Sequence, residues 1–293
     1  MRIPSLLVVL LLGLAVLPFA HAQPGAFFID PRALQIVERF ERAWRAASAV
    51  TFRDVKVERL RNGKVVKEEL AVKYQRPGRA YLRMLKPREG QEVIYDRTKN
   101  TKQLTVHPGH FPDLTLSLDI EGMLATRDQH HTVASVGFDQ AMHILRAGIE
   151  RAKREPYGDR LEYGGSSKLD GHEVERVVMR AGTHPASKVS AHEGETLLSF
   201  ARRVDMDAYV IYIANPAIRS LASRLDGGES YIVPAYYAPR CESWFDKQTG
   251  MPLKQVMWSE DGSLYESYEH LDLVLNPKLS DADFDPQNPG YGF

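Results

Sequence analysis

"FRDVKVERLRNGKVVKEELAVKYQRPGRAYLRM", Phe52 to Met84, is the stretch whose reading decides the fold. Before the first turn, Val55 and Val57 alternate with Lys56 and Glu58. After it, Leu70, Val72 and Tyr74 share one side of a two-residue period, with Lys67, Glu69 and Lys73 on the other. Between the runs lies Arg61-Asn62-Gly63-Lys64, and Asn-Gly tolerates the positive φ that a tight reversal needs. Arg76-Pro77-Gly78-Arg79 turns the chain again, and Ala80, Leu82 and Met84 then alternate with Tyr81 and Arg83. The period predicts an antiparallel meander with one apolar face and one charged face. On the first strand the valines are expected on the apolar face, with Lys56 and Glu58 on the charged one.

The pattern extends outward. "EVIYDRTKNTKQLTVHPG" predicts two more strands, Leu161–Leu169 and Val174–Met179 another pair around Asp170-Gly171, and "CESWFDKQTGMPLKQVMWSEDGSLYESYEHLDLVL" three more. Two helices interrupt them. "DPRALQIVERFERAWRAASAV" starts with Asp30 as N-cap and Pro31 in the first turn, and Ala33, Ile36, Val37, Phe40 and Trp44 recur at helical spacing. "GFDQAMHILRAGIERAKRE" places Ala141, Ile144, Leu145, Gly148 and Ile149 on one helical face. Residues 111–136 are less regular. The tail, "NPKLSDADFDPQNPGYGF", reads as an ordered loop that closes an edge.

An apolar sheet face needs a cover, and two helices are few for so many strands. The expected class is α+β: a curved antiparallel sheet forming an open β-barrel, with covering helices. A concavity would be lined by Leu70, Val72, Tyr74, Leu82, Met84, Val93, Tyr95, Leu104, Val106, Val256 and Trp258. Taken singly, each reads better as dry core against the helices, since apolar alternation in a half-buried strand usually means core.

Composition narrows the function classes. The 293 residues carry 38 basic and 38 acidic side chains, a balance unlike the basic field of a dedicated nucleic-acid binder. Residues 1–22, "MRIPSLLVVLLLGLAVLPFAHA", have one charge, an apolar run and Ala20-His21-Ala22, the layout of a cleaved export signal. The run is short for a bilayer and Pro18 interrupts it, so a membrane span is not expected. Cys241, the only cysteine, cannot form an intrachain disulfide and reads as a half-buried strand thiol. An exported chain of this kind is expected in a periplasm.

No nucleophile elbow, phosphate-binding loop or zinc-protease motif is present, and no carboxylate pair stands out by spacing. His107, His110, His130, His131 and His143 follow no known ligand pattern and read as loop and surface histidines. No enzymatic activity, metal or cofactor is expected.

Residues 183–237 read differently from the rest. Val189 lies in a short extended piece; Leu197, Phe200, Ala201 and Val204 share a helical face; a second helix carries Val210, Ile211 and Ile213 and stops at Asn215-Pro216; "YIVP" is a last strand. This strand–helix–helix–strand order, with "EGETLLSFARRV", "IANPAI" and "LDGGESYIVP", resembles a LysM module inserted in a host of residues 23–182 and 238–293. The resemblance implies binding of N-acetylglucosamine-containing glycan, hence peptidoglycan. Its groove maps onto Gly194, Glu195, Thr196 and Leu197 on one wall and Asn215, Pro216, Ala217 and Ile218 on the other. Singly, Thr196 also reads as a helix cap and Asn215 as a helix stop. The chain departs from the pattern at Glu195, where Asp is usual, and in the long charged loop Arg219–Asp226.

In the host, "EVIYDR", "VHPGHFPDLTLSLD" and "FDKQTGMPLKQV" resemble an exported family of unknown function, the domain of unknown function 1571. That family is similar to the LolA/LolB lipoprotein carriers. The resemblance implies an open barrel with a cavity for a lipid or lipoprotein acyl chain, and no assigned activity. The function expected is a non-enzymatic periplasmic binding protein held to peptidoglycan. The alternative is an envelope scaffold or sensor that binds a protein partner. A wall hydrolase is disfavoured by the missing catalytic motif.

Overall fold

The computed structural model describes residues 25–111, 113–155 and 157–293. The expected export segment, residues 1–22, lies outside them. The chain runs β1 (Phe28–Ile29), α1 (Pro31–Ala46), β2 (Ala49–Arg59), β3 (Val65–Gln75), β4 (Arg79–Lys86), β5 (Glu92–Asp96), β6 (Gln103–His107), β7 (Leu116–Asp119), α2 (Met123–Thr126) and α3 (Asp139–Arg154). It continues with β8 (Arg160–Leu169), β9 (His172–Arg180), β10 (Ser187–Ser190), α4 (Leu197–Arg203), α5 (Ala208–Ala214), β11 (Ser230–Val233), β12 (Arg240–Asp246), β13 (Pro252–Trp258) and β14 (Leu264–Leu275).

Twelve strands form one sheet in the order β1-β8-β9-β12-β13-β14-β2-β3-β4-β5-β6-β7. It is antiparallel except where β1 joins β8. β1 and β7 are its edges, so the sheet is not closed into a barrel. The predicted turns fold as read: Gly63 takes φ +83° between β2 and β3, and Leu60 N–H bonds the Lys64 carbonyl across it at 2.8 Å.

Helix α1 starts where Asp30 accepts from the N–H groups of Arg32 and Ala33. It buries Ala33, Ile36, Val37, Phe40 and Trp44 against the inner face of the sheet. Phe138, just before α3, sits edge-on to both Phe40 and Trp44. Along α3, Ile149 and Ala152 are buried. Gly148 lets the end of the Met179 side chain pack against the helix, since a Cβ would stand 2.7 Å from Met179 Cε.

Two expectations about faces need correction. On β2, Val50 and Phe52 are buried in the core, and side chains two apart share a face. Asp54, Lys56 and Glu58 therefore point inward with them, while Val55 and Val57 point outward. On β13 the inward residues are Gln255 and Met257, so Val256 faces away from the concavity and Trp258 is not in its wall. Arg240 lies over the Trp258 ring instead. The tail also does something other than expected. Phe284 is buried with Tyr81 and Ile94, and Tyr291 stacks on Tyr81 at 4.1 Å. It covers the outer face of β4 and β5, which lie inside the sheet and not at an edge. Those two strands carry apolar groups on both sides and need two covers.

Residues 187–233 keep the predicted strand–helix–helix–strand order. β10 and β11 pair antiparallel, and Leu197, Phe200, Ala201, Tyr209 and Ile211 make a small core that also takes in Met257 and Tyr265 of the large sheet and Leu60 in the turn after β2. The unit thus packs on the sheet. About fifty residues bury little surface alone, and shared side chains compensate.

Candidate functional site

The concavity holds a cavity of about 270 Å³ between the inner face of the sheet, the segment 124–138 and α3. Its character changes along the strands. At one end Leu70, Val72, Leu82, Met84, Val93, Leu104 and Val106 form an apolar wall with Phe52 and Phe138. At the other end Lys56, Glu58, Glu68, Arg88, His131 and Glu266 face inward. Of the residues expected to line it, Tyr74 and Tyr95 instead border a second cleft of about 320 Å³; Val256 and Trp258 border neither.

Apart from the exposed Arg88, the charged end is largely buried, and its charges are paired. Lys56 Nζ is 2.8 Å from Glu68 and 3.5 Å from Glu58, and Arg88 also pairs with Glu68. Glu58 and Glu266 face each other on β2 and β14, and the Tyr268 hydroxyl lies within reach of both, at 2.8 and 3.1 Å, with one proton to give to either. The side chains of His130 and Glu266 are fully buried, with His130 Nδ1 2.7 Å from Glu266 Oε2. His130 Nε2 faces the Arg59 carbonyl at 3.0 Å. His131 lies between Glu266 (3.5 Å) and Asp207 (3.3 Å), the N-cap of α5. The Tyr237 hydroxyl bonds Glu266 and stands 3.0 Å from His131 Nε2. The cluster therefore ties the 187–233 unit to the sheet.

His130 and His131 are thus not surface histidines, and a carboxylate pair does exist. Neither was legible, because Glu58, His130 and Glu266 are far apart in the chain and meet only through strand register. The ligand atoms of these three lie within 4.8 Å of one another, a spacing that could hold a metal ion.

Burial would raise the Glu266 carboxyl, but the hydrogen bonds from His130 and His131 outweigh it and hold it well below the ordinary 4.5. Burial opposes charge on His131 too, yet the hydrogen bonds and charges of Asp207 and Glu266 hold it well above 6.5. The signs give a pH window. A depressed carboxyl stabilises the fold above its unfolded value and loses that contribution in acid. A raised imidazole stabilises below 6.5 and loses its contribution as pH climbs through the folded value. Asp54, pushed by burial from 3.8 to about 7, adds to the fall above its unfolded value. Stability is therefore expected to decline from pH 6.5 to pH 9, and His131→Gln to flatten that slope. Urea midpoints measured across this range check it; a wild-type curve flat above pH 6.5 would contradict it.

The expected glycan groove is built differently from the reading of its side chains. Thr196 caps α4 in a reciprocal pair with Ser199. Glu195 is bound to Arg203 and to the His192 N–H; Arg203 holds its carboxyl low, at about 2. Leu197 and Ile218 are core residues, and Pro216 and Ala217 are exposed. Gly194 takes φ +74°. The loop after α5 lies on the first wall: Leu197 N–H bonds the Ser223 carbonyl, Leu225 N–H the Glu195 carbonyl, and Arg224 reaches the Gly194 carbonyl. Asn215 spends its amide on the carbonyls of Ile211 and Ile232 and accepts from Ile232 N–H, each at 2.8 Å. It staples α5 to β11. Asn215→Ala is expected to cost about 1–2 kcal/mol, since two carbonyls and an N–H lose partners, and to speed amide exchange in β11. Unchanged exchange would remove the staple.

Cys241 is free; burial pushes its thiol up to about 12, which suits an inert strand residue. Among the described residues, no helix is long and apolar enough to cross a membrane.

No curated protein matches the chain. Several solved structures resemble it at low identity. An uncharacterized conserved protein from Thermus thermophilus is 10% identical, covering 88% of this chain and 96% of that one, with a TM-score of 0.40. MucB in the MucA/MucB complex of Pseudomonas aeruginosa is 14% identical over 87% of this chain and 60% of that one, with a TM-score of 0.37. A LolA superfamily protein from Nitrosomonas europaea is 10% identical over 86% and 97%, with a TM-score of 0.31. A family model described as "Protein of unknown function (DUF1571)" matches residues 50–207 and 231–293. It runs into the 183–237 unit as far as 207, so the stretch it passes over, 208–230, is shorter than the expected insertion. With most of its residues matched, the chain belongs to the DUF1571 family of proteins of unknown function.

Proposed function

We propose that this protein is a non-enzymatic carrier that holds an amphiphile, such as a lipid or lipoprotein acyl chain, in the cavity under its sheet. One observation carries the reading: a single cavity of about 270 Å³ has an apolar wall at one end and a buried, paired ionic cluster at the other. An acyl chain would gain about 0.8 kcal/mol per methylene moved out of water. The ionic end would be expensive to leave in a merely structural core, where apolar side chains of similar size pack at no desolvation cost.

Export to a periplasm is part of the proposal and rests on residues 1–22. So is a LysM-like role for residues 183–237, which rests on sequence resemblance and on the strand–helix–helix–strand order. In that role the unit grips peptidoglycan through the exposed Pro216–Ala217 side and the backbone near Gly194, because the side chains of Thr196 and Asn215 are engaged internally. Cosedimentation with purified sacculi tests it, and protein left wholly in the supernatant would remove the anchor.

The carrier reading is tested on protein purified from producing cells. Organic extraction and mass spectrometry are expected to find a bound amphiphile. Leu82→Trp with Val72→Phe fills the apolar end without burying charge, and is expected to weaken binding of a fluorescent fatty probe by about tenfold or more, equal to 1.4 kcal/mol. Equal binding by the filled variant, with its fold intact, would make the concavity a packed scaffold. An envelope scaffold for a protein partner would then be the better account.

A further inference from the structure

At the border between the apolar and ionic ends of the cavity, Asp54 and His270 stand opposite each other on β2 and β14. Every other acid in the cavity wall has a partner: Glu68 has Lys56 and Arg88, Glu58 has Lys56 and Tyr268, and Glu266 has His130 and Tyr268. Asp54 is different, for its Oδ1 is buried with no hydrogen-bond partner. His270 Nδ1 is 2.9 Å from the Pro252 carbonyl, which only a donor can satisfy. The proton is thus on Nδ1, and Nε2 is left as an acceptor in the neutral ring. Burial keeps the ring neutral by lowering it from 6.5 to about 4. Two acceptor atoms, Asp54 Oδ1 and His270 Nε2, therefore stand 3.9 Å apart with no donor between them.

We propose that this border is a head-group site, and that it takes an amphiphile with a primary ammonium head whose chain lies along the apolar wall. The inference rests on the carrier reading and adds the class of ligand. An ammonium nitrogen about 2.8 Å from each acceptor bridges the gap within ordinary hydrogen-bond geometry. A hydroxyl has one proton and satisfies only one of them. A carboxylate head would set a third acceptor against two. Lys56, on the same face, cannot do the job from within, since its ammonium is held by Glu68 and Glu58. Phe52 and Phe138 pack edge-on against the His270 ring, so the site is dry on its core side. A charge-assisted bond there is stronger than in water. A free alkylamine and an aminated lipid head share this chemistry.

The test is calorimetric titration of the purified protein at pH 7.5 with dodecylamine, dodecanol and dodecanoate, each below its micelle concentration. Dodecylamine is expected to bind about thirtyfold tighter than dodecanoate, as a charge-assisted bond of roughly 2 kcal/mol implies. Asp54→Asn is expected to reduce that preference to within about threefold. The same change removes an unpaired buried carboxylate, so a melting temperature at or above wild type shows that the variant is folded. Dodecanoate binding as tightly as dodecylamine to the wild type would overturn the head-group site and leave the carrier reading standing. Binding of none of the three would overturn both. If the head preference survived in Asp54→Asn, the ammonium would sit elsewhere and the site assigned here would be wrong. An aminated phospholipid competing with dodecylamine more strongly than its N-acetylated form would identify the lipid source; equal competition would favour the free amine.

Discussion

Glu266→Ala is expected to lower the unfolding free energy by about 3–5 kcal/mol, the usual cost of removing one partner from a buried ion pair. Glu266 is fully buried and takes hydrogen bonds from His130, Tyr268 and Tyr237. Its loss leaves the His131 cation with Asp207 alone and the Tyr237 hydroxyl without its carboxylate acceptor, while Tyr268 keeps Glu58. The effect is also expected to be local. Tyr237 and Asp207 belong to the 183–237 unit, so α5 and β11 should gain amide exchange before the sheet does. Combining Glu266→Ala with His131→Gln should cost less than the sum of the two, because the second change removes a cation the first has stranded. Urea unfolding at pH 7 measures all three variants. A Glu266→Ala cost below about 1 kcal/mol would mean that water enters the cluster and the pair is not buried in solution.

Trp44→Ala is expected to cost about 3–5 kcal/mol, the range for deleting a buried aromatic side chain. Trp44 is fully buried on α1, packs against Tyr74 and Phe138, and donates Nε1–H to Asp139 at the start of α3 at 2.8 Å. It therefore joins both helices to the sheet. Trp44→Phe keeps most of the volume and removes the donor, so about 1–2 kcal/mol is expected from the lost hydrogen bond. Thermal and urea unfolding of the pair separate packing from hydrogen bonding. Equal costs for the two variants would place the energy in the hydrogen bond and contradict the packing account.

Both changes fall on residues of unequal legibility. Trp44 could be read as core from its spacing with Ala33, Ile36, Val37 and Phe40, because a helix face repeats locally. Glu266 could not, because its partners come from residues 58, 130, 131, 237 and 268 and meet only in the folded sheet. Lys56 shows a middle case. Its strand alternates cleanly, but alternation gives two faces without saying which is inside. The signal was available two turns of the pleat away, since Val50 and Phe52 share its parity and must be covered. At Val256 and Trp258 the same ambiguity fell the other way. Asn215 was legible as a helix stop, while its three bonds to the end of α5 and to β11 were not.

What the sequence by itself determined are the properties that repeat over a few residues. These are the strands and hairpin turns, the two long helices with the Asp30 cap of the first, and the change of pattern at residues 183–237. Only the tertiary structure decided which strand faces point inward, that the sheet stays open, and that an ionic cluster joins the unit to the sheet. The physical reason is range: backbone preference and periodicity act between neighbours, whereas burial and pairing of charge depend on which strands lie side by side.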